Sequence, residues 1–438
     1  MGIFNRIISS FPKNIILNSQ NSFGALITLI LVALPLNNIF VSIATIGFVV
    51  FGIVLNNKQI INNEKTLFFP ILYFIILSLS LIWTNNFDST LSGVQKSLSF
   101  LVIPAVFIVI PKISKDIQNW IIRMYSFGML VYAATYLILA SINYYHTHNR
   151  ELFFYKYLVP EDPGSIYMSV FASFALFYFV QLKIRNSIEK IALVVLSTFV
   201  FLLSSKSIIT IDFVIIIWFY AFYIEISKVT KALTISAVSL FLVLSIFFVK
   251  EVKERFYLEF ETAFVDNIPS MINSALPSSI HNISVQEAWE NQKFQQTDFF
   301  PGAALRVYQL RVYKEMQQEN PVLLTGLGLE ASQDKIREKA KVHNLNLEYG
   351  EYNFHNQYIQ TLAELGIFGL LILIIMLLVN LLNAIKQKDF LHIAFAITMI
   401  MLFLSESFFC RQRGIVFFII LYCLFNSNYS NLQRDKIN

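Results

Sequence analysis

Long apolar segments alternate with short polar ones along most of the 438-residue chain. A helix that spans a bilayer needs about 20 mostly apolar residues, with about 17 as the lower limit. Apolar segments near this length predict about twelve membrane spans, at 22–36, 39–55, 67–83, 97–111, 118–142, 165–182, 188–204, 206–225, 231–249, 366–385, 389–405 and 413–426. The pattern therefore predicts an all-α, polytopic integral membrane protein.

The polar residues between the predicted spans are unevenly distributed. Residues 144–164 form a moderate loop and residues 250–354 a much longer one. Loops of that size are usually functional or carry their own structure. We predict three regions: spans one to nine in 1–249, a large and partly helical extracytoplasmic loop in 250–354, and an interfacial helix, spans ten to twelve and a cytoplasmic tail in 355–438.

Basic residues orient the predicted spans, because cytoplasmic loops carry an excess of Lys and Arg. With the N-terminus in the cytoplasm, the basic residues assigned to that side are Arg6, Lys13, Lys58, Lys65, Lys112, Lys115, Lys183, Arg185, Lys190, Lys228, Lys231, Lys386, Lys388, Arg434 and Lys436. The short loops of the other side contain Lys96, Arg150, Lys156, Lys206, Arg411 and Arg413. Both termini are therefore predicted to be cytoplasmic, with the large loop on the opposite face.

Composition agrees with a membrane protein and narrows the possible partners. Apolar residues make up 56% of the chain and charged residues 14%, whereas soluble domains carry about 25% charged residues. The net charge of +5 gives no electrostatic footprint for nucleic acid. Cys410 and Cys423 lack the spacing of a metal motif or a structural disulfide, and we expect both to be packing residues.

Within the large loop, residues 301–320 predict an amphipathic helix. Pro301 marks its start, Asn320-Pro321 marks its end, and its apolar face comprises Leu305, Tyr308, Val312 and Met316. Arg306 lies in the first or second turn, where the helix dipole disfavours a cation. A bound anion would explain it, although a solvated surface arginine is the alternative. Arg311 has Glu315 four residues later, so an ordinary helical ion pair is an alternative for Arg311.

His355 and Asn356 open a predicted interfacial helix at 355–365, and Gly366 and Gly369 permit a bend before the next span. Histidine titrates near neutral pH and is a frequent general base. A structural, hydrogen-bonded histidine is the alternative. The position where the large loop meets the membrane favours a catalytic role for His355.

Ionisable residues beside the membrane are costly and often functional. Lys206 lies in the tight turn Leu203–Ser207, where a snorkelling lysine is the alternative to a functional one. Glu406, Arg411 and Arg413 surround one end of the eleventh span, and a mutual ion pair is the simplest expectation. His146 and His148 lack a third ligand at suitable spacing, so no metal site is predicted.

Three sequence segments together resemble a known family. Arg306 is followed by Asn320-Pro321 and Gly326-Leu-Gly328; His355-Asn356 is followed by Leu-Ala-Glu-Leu-Gly-Ile-Phe-Gly369; and Ser205-Lys206 forms a turn between two spans. In this order they resemble the superfamily of O-antigen ligases and O-antigen polymerases of the bacterial envelope. The chain departs from that pattern where Lys206 replaces the usual arginine and Ser207 the usual glycine.

The resemblance implies a metal-independent membrane glycosyltransferase of lipopolysaccharide biosynthesis that needs no cofactor. Its donor would be a glycan on undecaprenyl pyrophosphate at the periplasmic face of the inner membrane. The predicted acceptor is lipid A–core, as for an O-antigen ligase. The alternative is another lipid-linked glycan, as for a repeat-unit polymerase that uses the same donor. His355 would be the catalytic base, oriented by Asn356. Arg306, then Lys206 and Arg311, would bind the pyrophosphate.

Two classes without transferase activity remain as alternatives. A lipid or glycan transporter predicts matched halves and ionisable residues throughout the spans. This chain has nine predicted spans before the large loop and three after it, and its polar residues gather on one face. The pattern therefore favours an enzyme over a transporter, and also over a non-enzymatic scaffold or sensor.

Overall fold

The computed structural model describes residues 19–54, 64–160, 163–203, 205–233, 281–319 and 322–427, with isolated positions between 235 and 257. Within these ranges the chain is helical, and its β pairing is one isolated bridge between Asn282 and Phe299. The α-helices are α1 (Ser19–Ala33), α2 (Asn38–Val54), α3 (Phe68–Leu79), α4 (Phe87–Lys96), α5 (Ser99–Val109), α6 (Lys115–Thr147), α7 (Tyr155–Leu158), α8 (Ser165–Gln181), α9 (Ser187–Leu202), α10 (Lys206–Trp218), α11 (Val285–Glu290), α12 (Gly302–Glu319), α13 (Ser332–Val342), α14 (Gln357–Gln387), α15 (Phe390–Leu402) and α16 (Gln412–Asn426). The all-α class is confirmed.

Each predicted span other than 231–249 coincides with a helix, and 231–249 lies largely outside the described residues. Helical segments long and apolar enough to cross a membrane are Lys65–Ile82, Phe87–Val109, Lys115–Thr147, Lys206–Tyr223 and Gln357–Gln387. Shorter apolar helices include α1, α2, α8, α15 and α16. The helices support a membrane protein, while the number of spans stays a prediction.

Helix α2 shows why the bundle needs a bilayer. One face carries Val41, Ala44 and Phe48, which are buried against neighbouring helices. The other face exposes large aliphatic side chains at helical spacing, namely Ile39, Ile43, Ile46, Val50 and Ile53. A continuous apolar stripe of this kind is not stable in water. Helix α2 is therefore apolar on both its protein-facing and its lipid-facing side.

Contacts between helix termini distinguish the two ends of the bundle. At one end, the Phe219 ring after α10 packs 4.2 Å from the Phe390 ring at the start of α15. Lys115, at the start of α6, contacts the Asp389 carboxylate at the same end. The opposite end carries residues 281–356, and we call it the polar end.

The described part of the large loop, residues 281–319 and 322–354, has its own hydrophobic core. Helices α11, α12 and α13 pack around Phe294, Phe300 and Tyr308. The predicted amphipathic helix is confirmed as α12, whose residues Tyr308, Val312 and Met316 are buried and whose Leu305 packs against them. We call residues 281–354 the polar segment. It is a folded unit rather than a plain connector.

Helix α14 is broken at Gly366, where φ is 64° and ψ is −164°. Residues 322–328 lie against the break and replace the lost helical hydrogen bonds. The Leu327 and Gly328 N–H groups donate to the carbonyl oxygens of Ala363 and Glu364, each at 2.9 Å, and the Ile367 N–H donates to the Leu323 oxygen at 2.8 Å. The bend predicted at Gly366 is confirmed, and it fixes the first turns of α14 against the polar segment.

Close backbone approach explains the glycines at this break. A Cβ on Gly366 would lie 2.2 Å from the Leu324 carbonyl oxygen, and a Cβ on Gly326 would lie 2.2 Å from the Glu364 carbonyl carbon. Both glycines also have positive φ, which side chains disfavour. The two backbones can therefore meet only where neither residue has a side chain.

Candidate functional site

The loop between α15 and α16, residues 403–410, is organised by the start of α14. The Gln357 N–H donates to the Phe403 oxygen at 2.8 Å, and the Phe409 N–H donates to the Gln357 side-chain oxygen at 2.7 Å. The Asn356 amide nitrogen donates to the Leu404 oxygen at 3.2 Å. These bonds hold the 403–410 loop beneath the polar segment.

His355 lies two residues before the start of α14, with φ at 47°. The Asn353 side-chain oxygen accepts its N–H at 2.9 Å, which stabilises this left-handed conformation. The imidazole Nδ1 is 3.5 Å from Oε2 of Glu406, and both side chains are partly accessible. His355 therefore has a carboxylate beside one ring nitrogen.

The expected start of the helix at His355 is wrong by two residues. Helix α14 begins at Gln357, and Asn356 is its N-cap, with its side-chain oxygen accepting the Ile359 N–H at 3.0 Å. Because the Asn356 amide also donates to Leu404, its described hydrogen bonds position the helix and the 403–410 loop. A direct role of Asn356 toward substrate stays a prediction.

Arg306, in the second turn of α12, reaches the same loop. Its Nε and Nη2 donate to the Ser405 carbonyl oxygen at 3.2 and 3.1 Å, and its Nη1 donates to the Gly302 oxygen at 3.1 Å. Both acceptors are neutral carbonyls, so these three bonds orient the guanidinium without neutralising it. Arg306 and His355 thus contact consecutive residues, Ser405 and Glu406. We call this group the Arg306–His355–Glu406 site.

A buried polar stripe lies behind this site on α14. The Gln360 amide donates to Oε1 of Glu364 at 2.6 Å, and Ser407 of the 403–410 loop donates to the Gln360 oxygen at 3.3 Å. Ser332 at the start of α13 donates to Glu364 at 3.0 Å. The stripe therefore joins the polar segment, α14 and the 403–410 loop through side-chain hydrogen bonds.

Sequence reasoning missed this polar stripe, although a signal was present. Gln357, Gln360, Thr361 and Glu364 recur at i, i+3, i+4 and i+7 within an otherwise apolar helix. Glu406 was assigned to a surface ion pair with Arg411 and Arg413. In the structure its carboxylate is at ion-pair distance from His355.

Lys206 begins α10 at the polar end. The last turn of α10 meets the first turn of α15 at the far end, so these antiparallel helices bring Lys206 to the end where α15 enters the 403–410 loop. The Lys206 side chain is half-buried. The structure thus places Lys206 at the same end as Arg306 and His355, and its role stays a prediction.

Arg311 occupies a different environment from Arg306. Five residues along a helix correspond to a rotation of about 140°, and Arg311 is buried inside the polar segment. It donates to Glu315 at 2.8 Å and also to the Asn291 oxygen. The pairing with Glu315 considered from the sequence is confirmed, and the structure does not place Arg311 on the 403–410 loop.

Glu315 joins Arg311 to two further ionisable groups. His343 Nε2 is 3.2 Å and Lys339 Nζ 3.3 Å from Oε2 of Glu315. Burial opposes ionisation of Glu315, but the Arg311 hydrogen bond and the charges of His343, Arg311 and Lys339 lower its pKa overall. Burial also lowers the pKa of His343. This ion cluster stabilises the polar segment.

Part of the sequence matches a known protein family. Residues 191–374 match the O-antigen ligase family. The matched stretch includes Lys206, Arg306 and His355 and ends before Glu406. No curated protein matches the chain. The predicted resemblance to the O-antigen ligase and polymerase superfamily is therefore confirmed for this stretch.

Members of the O-antigen ligase family are membrane enzymes of glycosyltransferase type that act on lipid-linked glycans. The family includes both ligases and polymerases. The family match therefore agrees with the membrane helices and with a candidate active site at the polar end of the bundle.

Proposed function

We propose that this protein transfers a glycan from undecaprenyl pyrophosphate to a hydroxyl of lipid A–core, as an O-antigen ligase at the periplasmic face of the inner membrane. The observation that carries this proposal is the convergence of Arg306 and His355 on Ser405 and Glu406 of one loop. A cation for the leaving group and a base for the acceptor thus lie at one site. Arg306 and His355 both fall within the stretch that matches the family.

In the proposed reaction, His355 is the general base. Glu406 lies beside Nδ1, so Nε2 is the nitrogen that takes the proton from the acceptor hydroxyl. As that proton moves, the acceptor oxygen forms a bond to the anomeric carbon, and the bond from that carbon to the pyrophosphate oxygen breaks. The Glu406 carboxylate stabilises the resulting imidazolium.

Arg306 stabilises the departing undecaprenyl pyrophosphate. Its guanidinium is oriented by neutral carbonyls, which leaves its charge available to a phosphate. Lys206, at the same end, is a second cation, although a lysine provides a point charge rather than a planar fork. Arg311 is the weakest of the predicted ligands because Glu315 already neutralises it. Attack opposite the leaving group would invert the anomeric centre.

The alternative within the family is a repeat-unit polymerase, which would use the same donor and the same residues. The two activities differ in the acceptor that reaches His355. Lipopolysaccharide gels of a deletion strain separate them, because loss of a ligase leaves naked core while loss of a polymerase leaves core with a single repeat. A normal ladder after deletion would contradict both activities.

The direct test is product analysis with purified protein and purified lipid-linked glycan, offered lipid A–core and lipid-linked glycan in separate reactions. The proposal predicts that glycan becomes attached to lipid A–core and that undecaprenyl pyrophosphate is released. Elongation of the lipid-linked glycan alone would identify a polymerase. Absence of any product from an intact donor would reject the transferase.

A further inference from the structure

Two helical segments present rows of large apolar side chains to the outside of the bundle. On α14 the exposed residues recur every three or four positions, and they are Phe368, Leu371, Ile375, Leu378 and Leu382. On the segment Lys65–Ile82, which contains α3, they are Phe68, Leu72, Ile75, Leu79 and Ile82. Both segments are long and apolar enough to cross a membrane. We call these two sets of residues the lipid-facing rows.

The apolar part of α14 has the length of a bilayer's hydrocarbon layer. It extends from Leu365 to Ile385 without a charged residue, between Glu364 and Lys386. At ~1.5 Å per residue this run is about 30 Å long, and the hydrocarbon layer is also about 30 Å thick. Gly366 is the second residue of the run, so the break in α14 lies at the boundary of that layer.

Residues 322–328 are attached to the polar ends of both lipid-facing rows. The Ile367 N–H, at the start of the α14 row, donates to the Leu323 oxygen at 2.8 Å. The indole Nε1 of Trp83, just after the end of the other row, donates to the Thr325 oxygen at 2.9 Å. Tryptophan is enriched at the interface between membrane and water. The 322–328 segment is therefore held at the depth where both rows end.

Two adjacent leucines of this segment face outward. Leu323 is 51% and Leu324 62% exposed. The sequence from Asn320 to Leu329 contains no charged residue, whereas the neighbouring helices α12 and α13 carry many. The Leu323 and Thr325 carbonyl oxygens accept hydrogen bonds within the protein, which favours backbone that leaves water. Exposed apolar side chains that continue a lipid-facing surface mark a site of membrane interaction.

We propose that Leu323 and Leu324 insert among the lipid acyl chains at the polar end of the bundle and anchor the polar segment to the bilayer. The occupant of this surface is bilayer lipid, because the two leucines extend the lipid-facing rows of α3 and α14. The insertion is shallow, since Gly366 lies at the boundary of the hydrocarbon layer.

The anchor is coupled to the site through the same segment. Leu327 and Gly328, which follow the leucines, donate to carbonyl oxygens in the first turns of α14, and those turns organise the 403–410 loop. The anchor thus fixes the depth of the Arg306–His355–Glu406 site relative to the bilayer. Only the consequence for the donor, whose pyrophosphate would lie at that depth, rests on the proposed function.

Fluorescence quenching in nanodiscs tests the insertion. The NBD fluorophore is attached to Leu324→Cys, and nitroxide groups on the lipid acyl chains, close to the headgroup, quench it on contact. Phe368→Cys, in the α14 row, is the reference for a lipid-facing position. Leu347→Cys is the matched control, because Leu347 is a leucine of the polar segment that is 63% exposed and adjoins a glutamate.

We expect the lipid nitroxides to quench Leu324→Cys as strongly as Phe368→Cys and several times more strongly than Leu347→Cys. The NBD emission of Leu324→Cys should also be shifted to shorter wavelength than that of Leu347→Cys. Leu323→Cys should behave like Leu324→Cys, so that distortion by a single label does not decide the result. The wild type, whose two cysteines are at least partly buried, gives the labelling background.

Three outcomes would overturn the anchor. Quenching of Leu324→Cys by aqueous iodide but not by the lipid nitroxides would place this surface in water. Protection from both quenchers would show that another part of the chain, or a second copy of it, covers the leucines. Absence of lipid quenching at Phe368→Cys would remove the lipid-facing row that the anchor extends.

A transfer assay in nanodiscs tests the consequence for the donor. Leu323→Ser/Leu324→Ser should raise the KM for the lipid-linked donor several times and leave kcat near the wild-type value, because the site loses its fixed depth while its residues stay in place. An unchanged donor KM would overturn this consequence. If the wild type transfers nothing, the proposed function fails, and the quenching measurement alone decides the anchor.

Discussion

Replacing Gly366 by alanine should disrupt the junction that holds the functional site together. Its φ of 64° and ψ of −164° fall in a region that is essentially restricted to glycine and costs other residues about 1–3 kcal/mol. The new Cβ would also lie 2.2 Å from the Leu324 oxygen, which forces the 322–328 segment away. That movement breaks three backbone hydrogen bonds, at about 1 kcal/mol each.

The two contributions sum to a destabilisation of about 5 kcal/mol. Thermal unfolding of purified Gly366→Ala in detergent should show a lower midpoint, and transfer activity should fall because the start of α14 organises the 403–410 loop. Gly47→Ala is the matched control, because a Cβ there meets nothing within 4 Å. A Gly366→Ala protein as stable and active as Gly47→Ala would refute the account of this junction.

Three further predictions concern the site and the polar segment. Arg306→Ala should lower kcat/KM about a hundredfold. Arg306→Lys should have an intermediate kcat/KM, because a lysine cannot bridge the Gly302 and Ser405 carbonyls. Wild-type kinetics in Arg306→Ala would contradict this role. Glu406→Gln should lower kcat about tenfold without changing thermal stability, whereas unchanged kcat would remove Glu406 from the mechanism. Thermal stability should decline as pH falls below about 6.5, the ordinary pKa of His343, because its lowered folded-state pKa lets the unfolded chain bind the proton first. The lowered pKa of Glu315 adds a further loss as pH falls below about 4.5, the ordinary pKa of that carboxyl, and a flat stability profile from neutral to acidic pH would refute it.

The helices could be predicted from sequence because their signal is local. Apolar length located the membrane helices, and helical spacing located the buried face of α12. Gly366 marked the break in α14, since a glycine between an amphipathic turn and an apolar run permits a bend. The number of spans could not be fixed in the same way, because α1, α15 and α16 are shorter than a bilayer requires.

The site was only partly predictable, because its contacts join distant parts of the chain. His355 and Arg306 could be singled out as polar residues in unusual positions. Their meeting at Ser405 and Glu406 depends on tertiary packing that no local pattern contains. For the same reason the sequence predicted an ion pair of Glu406 with the nearby Arg411 and Arg413 rather than with His355.

Arg306 and Arg311 illustrate how far local reasoning reaches. Both are arginines of one amphipathic helix, and both were predicted to bind pyrophosphate. The i,i+4 relation to Glu315 already distinguished Arg311, and the structure shows that it is buried in an ion cluster. In contrast, one of the two carbonyl oxygens that bind Arg306 belongs to Ser405, which is 99 residues away in the sequence.

The central claim is that His355 is the base of a glycosyl transfer, and His355→Asn tests it most directly. Asparagine tolerates the positive φ at this position but cannot take a proton near neutral pH. With purified lipid-linked glycan and lipid A–core, we predict no detectable transfer by His355→Asn. Its folding and membrane insertion should match those of the control variant Arg150→Ala, which removes an exposed cation outside the site. Transfer by His355→Asn at the wild-type rate would contradict the claim.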